Sequence, residues 1–311
     1  MHDQAVSEPE SLSEVLIQTL FHLICIEPVP EALEDREKYF CWRLSQARLF
    51  FARFGSRVDI RRKSILDLGC GFGGMVIFLA EQGARRVVGV DTDEERLAFA
   101  RNKVKSEFSN LADRIEFAVP AELREERFDL VVSEDSFEHY GDPIAVMKTV
   151  RTFLVDSGKV LIGFSPLWKS PYGGHIDYMT KVPWAHLLFP ERIIMRERRH
   201  YRPHENARTF SEMRGGLNKM TYAKFVETMR NSGYWIEFLD TNISDSKLRP
   251  FISFLQRLPF CFEYFTKNLY AIVRPDEGPA LISQPASLVC HRVDARLAHD
   301  GFAQKIHRGR S

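Results

Sequence analysis

Cysteines are few in this sequence of 311 residues, and the five present follow no regular spacing. No Cys-x-x-Cys pair occurs, so we expect neither a cysteine-based zinc site nor a disulfide framework. The sequence contains no tight group of His, Asp and Glu either, and no metal is expected. Scattered thiols are typical of a reducing compartment, and the acidic N-terminus MHDQAVSEPE differs from a basic signal peptide. We therefore predict a cytoplasmic protein.

A long apolar segment is also missing. The longest, VLIQTLFHLICI, covers residues 15–26 and contains Gln18, Thr19 and His22. It is too short and too polar to cross a bilayer of about 30 Å. The formal net charge is only +1, and the sequence has no strongly basic segment interleaved with aromatic residues, so nucleic acid is not an expected partner. Contact with a membrane surface through apolar stretches such as FISFLQRLPFCFEYF stays open.

Strand-like and helix-like segments alternate from Ser64 to Pro166. Each strand is a short apolar run, and helical periodicity appears between the strands. Such alternation predicts an α/β fold with a doubly wound, right-handed parallel sheet. Two helices precede the first strand, and two further strands begin near Tyr234 and Leu269. The predicted strands of the alternating region are SILDLG, RRVVGVD, RIEFAV, FDLVVSED and GKVLIGFSP.

The alternation stops after residue 166, and the chain divides into three predicted parts. Residues 1–60 form a helical N-terminal cap, residues 61–274 an α/β domain, and residues 275–311 a poorly ordered tail with Gly, Pro and Ser. Residues 167–220 are rich in Trp, Tyr, His and Arg and do not look like one βα unit. We interpret this segment, called the insert below, as a lid over a substrate.

The stretch LDLGCGFGG places glycines at every second position directly after the first strand. In an open α/β sheet the ligand lies at the carboxyl ends of the strands, and glycine allows a ligand to approach the backbone closely. A tight strand-to-helix turn without a ligand is the other interpretation. The spacing departs from the dinucleotide pattern G-x-G-x-x-G. Asp67 would lie poorly beside a pyrophosphate but suits an ammonium or sulfonium group, and Asp91, after the second strand, suits ribose hydroxyls.

These motifs resemble those of class I S-adenosylmethionine-dependent methyltransferases, most of all the branch that includes the quinone-biosynthesis enzymes. LDLGCGFG is similar to the first motif of the family, GVDTDEERLAFAR to the second, and RFDLVVSEDSFEHYGDP to the motif of the fourth strand. The resemblance implies a Rossmann-like sheet of seven strands whose last strand is antiparallel, with S-adenosyl-L-methionine as cofactor. It implies these cofactor-binding residues: Asp67, Gly69, Cys70, Gly71, Gly73, Asp91, Thr92, Ala121, Glu122, Ser133 and Glu134.

One position departs from the family pattern. Members usually carry an Asp after the third strand that contacts the adenine amino group, whereas Pro120 occupies that place here. Either Glu122 reaches the adenine instead, or backbone and apolar walls hold the adenine alone.

Methyl transfer is an in-line displacement, which requires an aligned nucleophile, exclusion of water and usually removal of a proton. His139, just beyond the fourth strand, and His175, in the loop after the fifth, are the candidate catalytic bases. Both histidines also fit a purely structural role. Glu134 and Asp135 are further candidates, and either could be an ordinary loop carboxylate.

The insert carries seven arginines from Arg192 to Arg214. Arginine forks recognise carboxylate and phosphate groups, so the insert suits an anionic acceptor; a solvated charged surface is the other interpretation.

The family signatures for methylating base amines, protein amides or pyrimidine carbons are missing. We therefore predict methyl transfer to a small-molecule acceptor, most commonly on oxygen. The alternatives are a binding or accessory protein that keeps the fold without transfer, and an NAD-dependent oxidoreductase.

Overall fold

A sheet of seven strands in the order β3-β2-β1-β4-β5-β7-β6 forms the centre of the protein. The computed structural model describes residues 11–28, 35–123, 126–242, 249–258 and 260–276. Strands β1 to β5 are parallel, and β7 is antiparallel to both of its neighbours, β5 and β6. The predicted fold class is therefore confirmed. The strands are β1 (Ser64–Leu68), β2 (Arg86–Val90), β3 (Ile115–Ala118), β4 (Phe128–Glu134), β5 (Leu154–Phe164), β6 (Tyr234–Asn242) and β7 (Asn268–Pro275).

Helices cover both faces of this sheet, as the near-continuous apolar runs of the central strands require. Ile65 and Leu66 are adjacent in β1 and point to opposite faces, yet both are completely buried. The helices of the described residues are α1 (Leu12–Leu23), α2 (Arg36–Ala52), α3 (Gly74–Glu81), α4 (Glu94–Glu107), α5 (Pro143–Thr152), α6 (Ala185–Leu188), α7 (Glu191–Arg198), α8 (Tyr222–Asn231) and α9 (Arg249–Gln256).

Helix α2 is part of the main core rather than a layer outside it. Its side chains Phe40, Ala47 and Phe50 are buried in the same cluster as the apolar residues of α3 and β1. At Gly74 the two helices approach so closely that a Cβ atom would lie 2.9 Å from the backbone nitrogen of Leu44. This close packing follows from the aromatic face of α2, and it fixes the helix beside the loop that follows β1.

The insert packs on α1 and encloses an apolar cluster of its own. Phe189 of the insert meets Phe21 of α1 with ring centroids 4.8 Å apart. Beside them, Nε2 of Gln18 donates to an oxygen of Glu197 at 3.0 Å. The apolar residues of the insert are thus partly covered by the first N-terminal helix, although Leu188 stays 68% exposed.

None of the helices in the described residues is long and apolar enough to cross a membrane. The predicted tail, 275–311, lies outside the described residues apart from Pro275 and Asp276.

Candidate active site

A cavity of about 1550 Å³ opens at the carboxyl ends of β1, β2 and β4. It includes the boundary between β1 and β4, where the strand order of the sheet changes direction. Open α/β sheets bind their ligands at this place. Ordinary ligand pockets measure roughly 300–1,000 Å³, so this cavity has room for a cofactor and an acceptor together. The predicted cofactor residues that line it are Gly69, Cys70, Gly71, Asp91, Thr92 and Glu134.

The glycines after β1 serve different purposes. A Cβ atom at Gly69 would overlap the hydroxyl group of Ser136, and one at Gly73 would lie 2.9 Å from Ala100 and Phe117. At Gly71 a Cβ atom would meet nothing within 4 Å, because this residue faces the cavity. Gly69 and Gly73 are thus explained by packing and by their positive φ angles of 77° and 82°, and Gly71 is the position that leaves space for a ligand.

Asp91 holds the glycine loop in place. One of its carboxylate oxygens accepts a hydrogen bond from the backbone nitrogen of Gly71 at 2.8 Å, and the other accepts one from that of Asp93 at 2.9 Å. A carboxylate has about four lone-pair sites, so both oxygens can accept further hydrogen bonds from a ligand in the cavity.

Asp67 lies buried at the end of β1, and its oxygen Oδ2 has no hydrogen-bond partner. Burial raises the pKa of this carboxyl to about 8; Arg43 opposes the rise, while Glu134 and Asp91 add to it. Asp67 does not itself line the cavity. A buried carboxylate oxygen without a partner is costly, and a cation placed beside it would supply the missing interaction.

Arg43, on α2, is a cavity residue that the sequence analysis missed. Its guanidinium donates to Oδ2 of Asp135 at 2.7 Å and to Oε2 of Glu134 at 3.2 Å. Burial lowers the pKa of Arg43, but the two carboxylates outweigh this effect and raise it. Burial in turn raises the pKa of Glu134 to about 7, against the opposing effect of Arg43. The two acids that follow β4 are therefore held by an ion pair and are poorly placed as free bases.

Pro120 and Leu123 line the cavity after β3, whereas Ala121 and Glu122 do not. Oε2 of Glu122 accepts a hydrogen bond from the backbone nitrogen of Val119 at 3.2 Å, so this carboxylate is turned onto its own loop. Of the two arrangements considered for adenine, the geometry favours an apolar wall.

Ser133 is also set back from the cavity. It is buried in β4, and its hydroxyl group lies 2.9 Å from that of Tyr140. Tyr140 does line the cavity, and Ser133 therefore acts on the site by positioning this ring.

His139 lines the cavity, and the end of the insert holds it in place. Its Nδ1 lies 2.6 Å from the carbonyl oxygen of Gly216, so Nδ1 carries the proton and donates while Nε2 keeps a free lone pair. The side-chain nitrogen of Asn218 donates to the carbonyl oxygens of Phe137 and Tyr140, on both sides of His139, at 2.8 and 3.0 Å.

His175 lies behind His139 and does not line the cavity. The two rings meet edge to face with centroids 5.7 Å apart. Burial lowers the pKa of His175 to about 4, and His139 adds to this effect. His175 is therefore neutral at pH 7 and packs against the candidate base, an arrangement that favours a positioning role; a catalytic role of its own stays a prediction.

The insert also forms part of the cavity wall, with His200, Tyr201, Pro203, His204, Arg214 and Gly215. Arg214 is one of the seven arginines of the insert, and the sequence carries no signal that distinguishes it from the others. Within the described part of the chain, no group of three or more His, Cys, Asp and Glu residues is arranged to hold a metal ion.

A family model described as "Methyltransferase domain" matches residues 36–189, which include α2, strands β1 to β5 and the cavity loops that follow β1 to β4. The ubiquinone biosynthesis O-methyltransferase of Neisseria meningitidis serogroup C is 34% identical over 119 residues, which are 36% of this chain and 48% of that protein. Phosphoethanolamine N-methyltransferase 1 of Triticum aestivum is 28% identical over 110 residues, 35% of this chain and 22% of that protein. The chain spans about half the length, or less, of these curated relatives.

Among solved structures, an S-adenosylmethionine-dependent methyltransferase from Mesorhizobium loti is similar with a TM-score of 0.46 and 19% identity, over 74% of this chain and 96% of that one. A methyltransferase model matches the segment that builds β1 to β5, and the two relatives named above are methyltransferases, so residues 36–189 form a domain of the class I S-adenosylmethionine-dependent methyltransferases.

Proposed function

We propose that the protein transfers a methyl group from S-adenosylmethionine to a small-molecule acceptor, with an oxygen atom as the favoured acceptor. The observation that carries the proposal is the buried Oδ2 of Asp67, which has no partner among the described residues. An ammonium group would satisfy it. A pyrophosphate would instead bring negative charge beside Asp67, Asp91 and Glu134, which argues against a dinucleotide.

The residues present fit this cofactor. Gly71 leaves space against the backbone, Asp91 has lone pairs left for two ribose hydroxyls, and Pro120 with Leu123 offers the adenine an apolar wall. Contacts of Cys70, Thr92, Gly73, Ala121, Glu122, Ser133 and Glu134 with the cofactor stay predictions.

When bound, S-adenosylmethionine would supply a methyl carbon on a positively charged sulfur; as the acceptor atom bonds to this carbon in line, the carbon–sulfur bond would break and S-adenosylhomocysteine would leave with the electron pair. His139 is the base of the proposed mechanism, since its free Nε2 can take the proton of an acceptor hydroxyl as the oxygen forms its bond to carbon. The hydrogen bond from Nδ1 to Gly216 fixes the tautomer that makes Nε2 the acceptor. The relative that is named an O-methyltransferase supports oxygen as the atom methylated.

The first test is calorimetric titration of the protein with S-adenosylmethionine and with NAD. We expect binding of S-adenosylmethionine alone, weakened at least tenfold in Asp91→Ala. Asp113→Ala removes an exposed carboxylate outside the cavity and is the matched control. A preference for NAD, or no binding of S-adenosylmethionine, would contradict the proposal.

Incubation with phenols, catechols and amines, followed by mass spectrometry, then identifies the methylated atom. If the protein binds the cofactor but methylates none of these acceptors, the accessory role is favoured.

A further inference from the structure

The charges on the cavity wall are unevenly distributed. The carboxylates that line it, Asp91, Glu134 and Asp135, lie at the carboxyl ends of β2 and β4. The insert contributes the exposed side chains of His200, His204 and Arg214, together with Tyr201, Pro203 and Gly215, and no carboxylate among the described residues of the insert lines the cavity. On this part of the wall a ligand meets a guanidinium and two imidazoles without an acidic side chain.

The structure separates the seven arginines of the insert by their surroundings. Arg192 pairs with Glu14 at 2.7 Å, Arg198 pairs with Glu205 at 2.6 Å, and Arg202 lies over the ring of Tyr178. Of the seven, Arg214 is the one that lines the cavity.

Arg214 has no ion pair or side-chain hydrogen bond with any residue that the structure describes. Its backbone, by contrast, is held: its nitrogen donates to Oε2 of Glu205 at 3.1 Å. The backbone of this loop is thus held by a hydrogen bond, while the exposed guanidinium of Arg214 is available to bind a ligand.

The loop that carries Arg214 is also attached to the candidate base. Gly216, two residues further on, accepts the hydrogen bond from Nδ1 of His139, and the backbone nitrogen of Asn218 donates to the carbonyl oxygen of Glu138 at 2.9 Å. The backbone that carries Arg214 is therefore held beside His139: a Cβ atom at Gly215 would lie 3.5 Å from Nδ1 of His139.

We propose that the acceptor carries an oxyanion group, a carboxylate or a phosphate, which Arg214 binds on the part of the cavity wall that the insert forms and that also includes His200 and His204. A guanidinium matches either oxyanion with two parallel hydrogen bonds. The charge holds the acceptor so that its nucleophile lies toward His139 and the cofactor end. This inference rests on the proposed function for the reaction, but the anion site itself exists independently of methyl transfer.

The test compares two matched pairs of probes: 3,4-dihydroxybenzoate against catechol, and phenyl phosphate against phenol. Binding to the full-length protein is measured by calorimetry with and without S-adenosylhomocysteine. We expect one anionic member to bind at least tenfold more tightly than its neutral counterpart, and the pair that shows the preference distinguishes carboxylate from phosphate. Arg214→Gln should abolish the preference. Arg208→Gln, an exposed arginine of the insert that does not line the cavity, should retain it.

Two results would overturn the inference: equal binding of anionic and neutral probes in the wild-type protein, or an undiminished preference in Arg214→Gln. Thermal unfolding of both variants checks that each is folded. If S-adenosylhomocysteine does not bind while the anion preference is present and depends on Arg214, the proposed reaction fails and the anion site stands.

Discussion

The unpartnered carboxyl of Asp67 predicts that cofactor binding releases a proton. Its pKa is raised to about 8 by burial, so at pH 7 about nine-tenths of the ligand-free molecules carry the proton. A bound ammonium favours the ionised form and lowers this pKa. Binding at pH 7 should therefore expel about 0.9 protons from Asp67, and affinity should rise close to tenfold from pH 6 to pH 7, which is about 1.4 kcal/mol.

The assay is calorimetric titration with S-adenosylhomocysteine at pH 7 in buffers that differ in ionisation enthalpy, which counts the protons released. Glu134, with its pKa raised to about 7, is the other group nearby that can contribute. Glu134→Gln removes that share; because Glu134 also adds to the raised pKa of Asp67, this variant should reduce the release from Asp67 without abolishing it. Asp67→Asn should abolish the remainder and flatten the dependence of affinity on pH. Equal proton release in the wild-type protein and in Asp67→Asn would refute the assignment of the cation to Asp67.

Three further predictions follow from the same site. The pKa of Asp67 is about 8 in the folded state and about 3.9 in the unfolded state. The folded state therefore binds the extra proton between these values, and the free energy of unfolding falls as pH rises. Urea unfolding at pH 5 and pH 8 should show a smaller fall in Asp67→Asn than in the wild-type protein. Gly69→Ala should lower the melting temperature more than Gly71→Ala. Both variants acquire strain of about 1–2 kcal/mol from a positive φ, but the methyl group at position 69 also overlaps Ser136. Cofactor titration should show the larger loss of affinity in Gly71→Ala, and the reverse order in either measurement would contradict this prediction. His139→Asn should reduce kcat about 100- to 10,000-fold with cofactor affinity unchanged, and an unaltered kcat would exclude it as the base.

The sheet and its cofactor end could be predicted from the sequence because their signals are local. Each central strand is a short apolar run that is buried on both faces; Asp67 is the second-last residue of β1, Gly71 lies three residues after β1, and Asp91 directly follows β2. Parallel strands bring their carboxyl ends to one edge of the sheet. Residues near the ends of different strands therefore lie close together, and the sequence shows which residues these are.

The other side of the cavity could not be predicted in this way. Arg43 lies in a helix far upstream of the acids it binds, and nothing in the pattern of α2 distinguishes it from Arg36 or Arg48. In the sequence Arg214 looks like the other six arginines of the insert. What distinguishes it is that it lines the cavity and forms no ion pair with a described residue, and both facts depend on the folded structure. Gly73 shows a different limitation: the motif predicts a ligand contact, but packing against Ala100 is by itself enough to require a glycine, and the contact with the cofactor stays a prediction.

The position of β7 has a consequence for how the chain assembles. Among the residues that the structure describes, strand β6 pairs with β7 alone, and β7 also pairs with β5. During synthesis, residues 234–242 therefore leave the ribosome before the strand that joins them to the sheet exists. Strands β1 to β5 can pair in order as they emerge, while β5 keeps an open edge until residues 268–275 arrive. Because an open edge is a template for pairing with other chains, we expect that nascent chains of this protein are most prone to aggregate in the interval between β5 and β7.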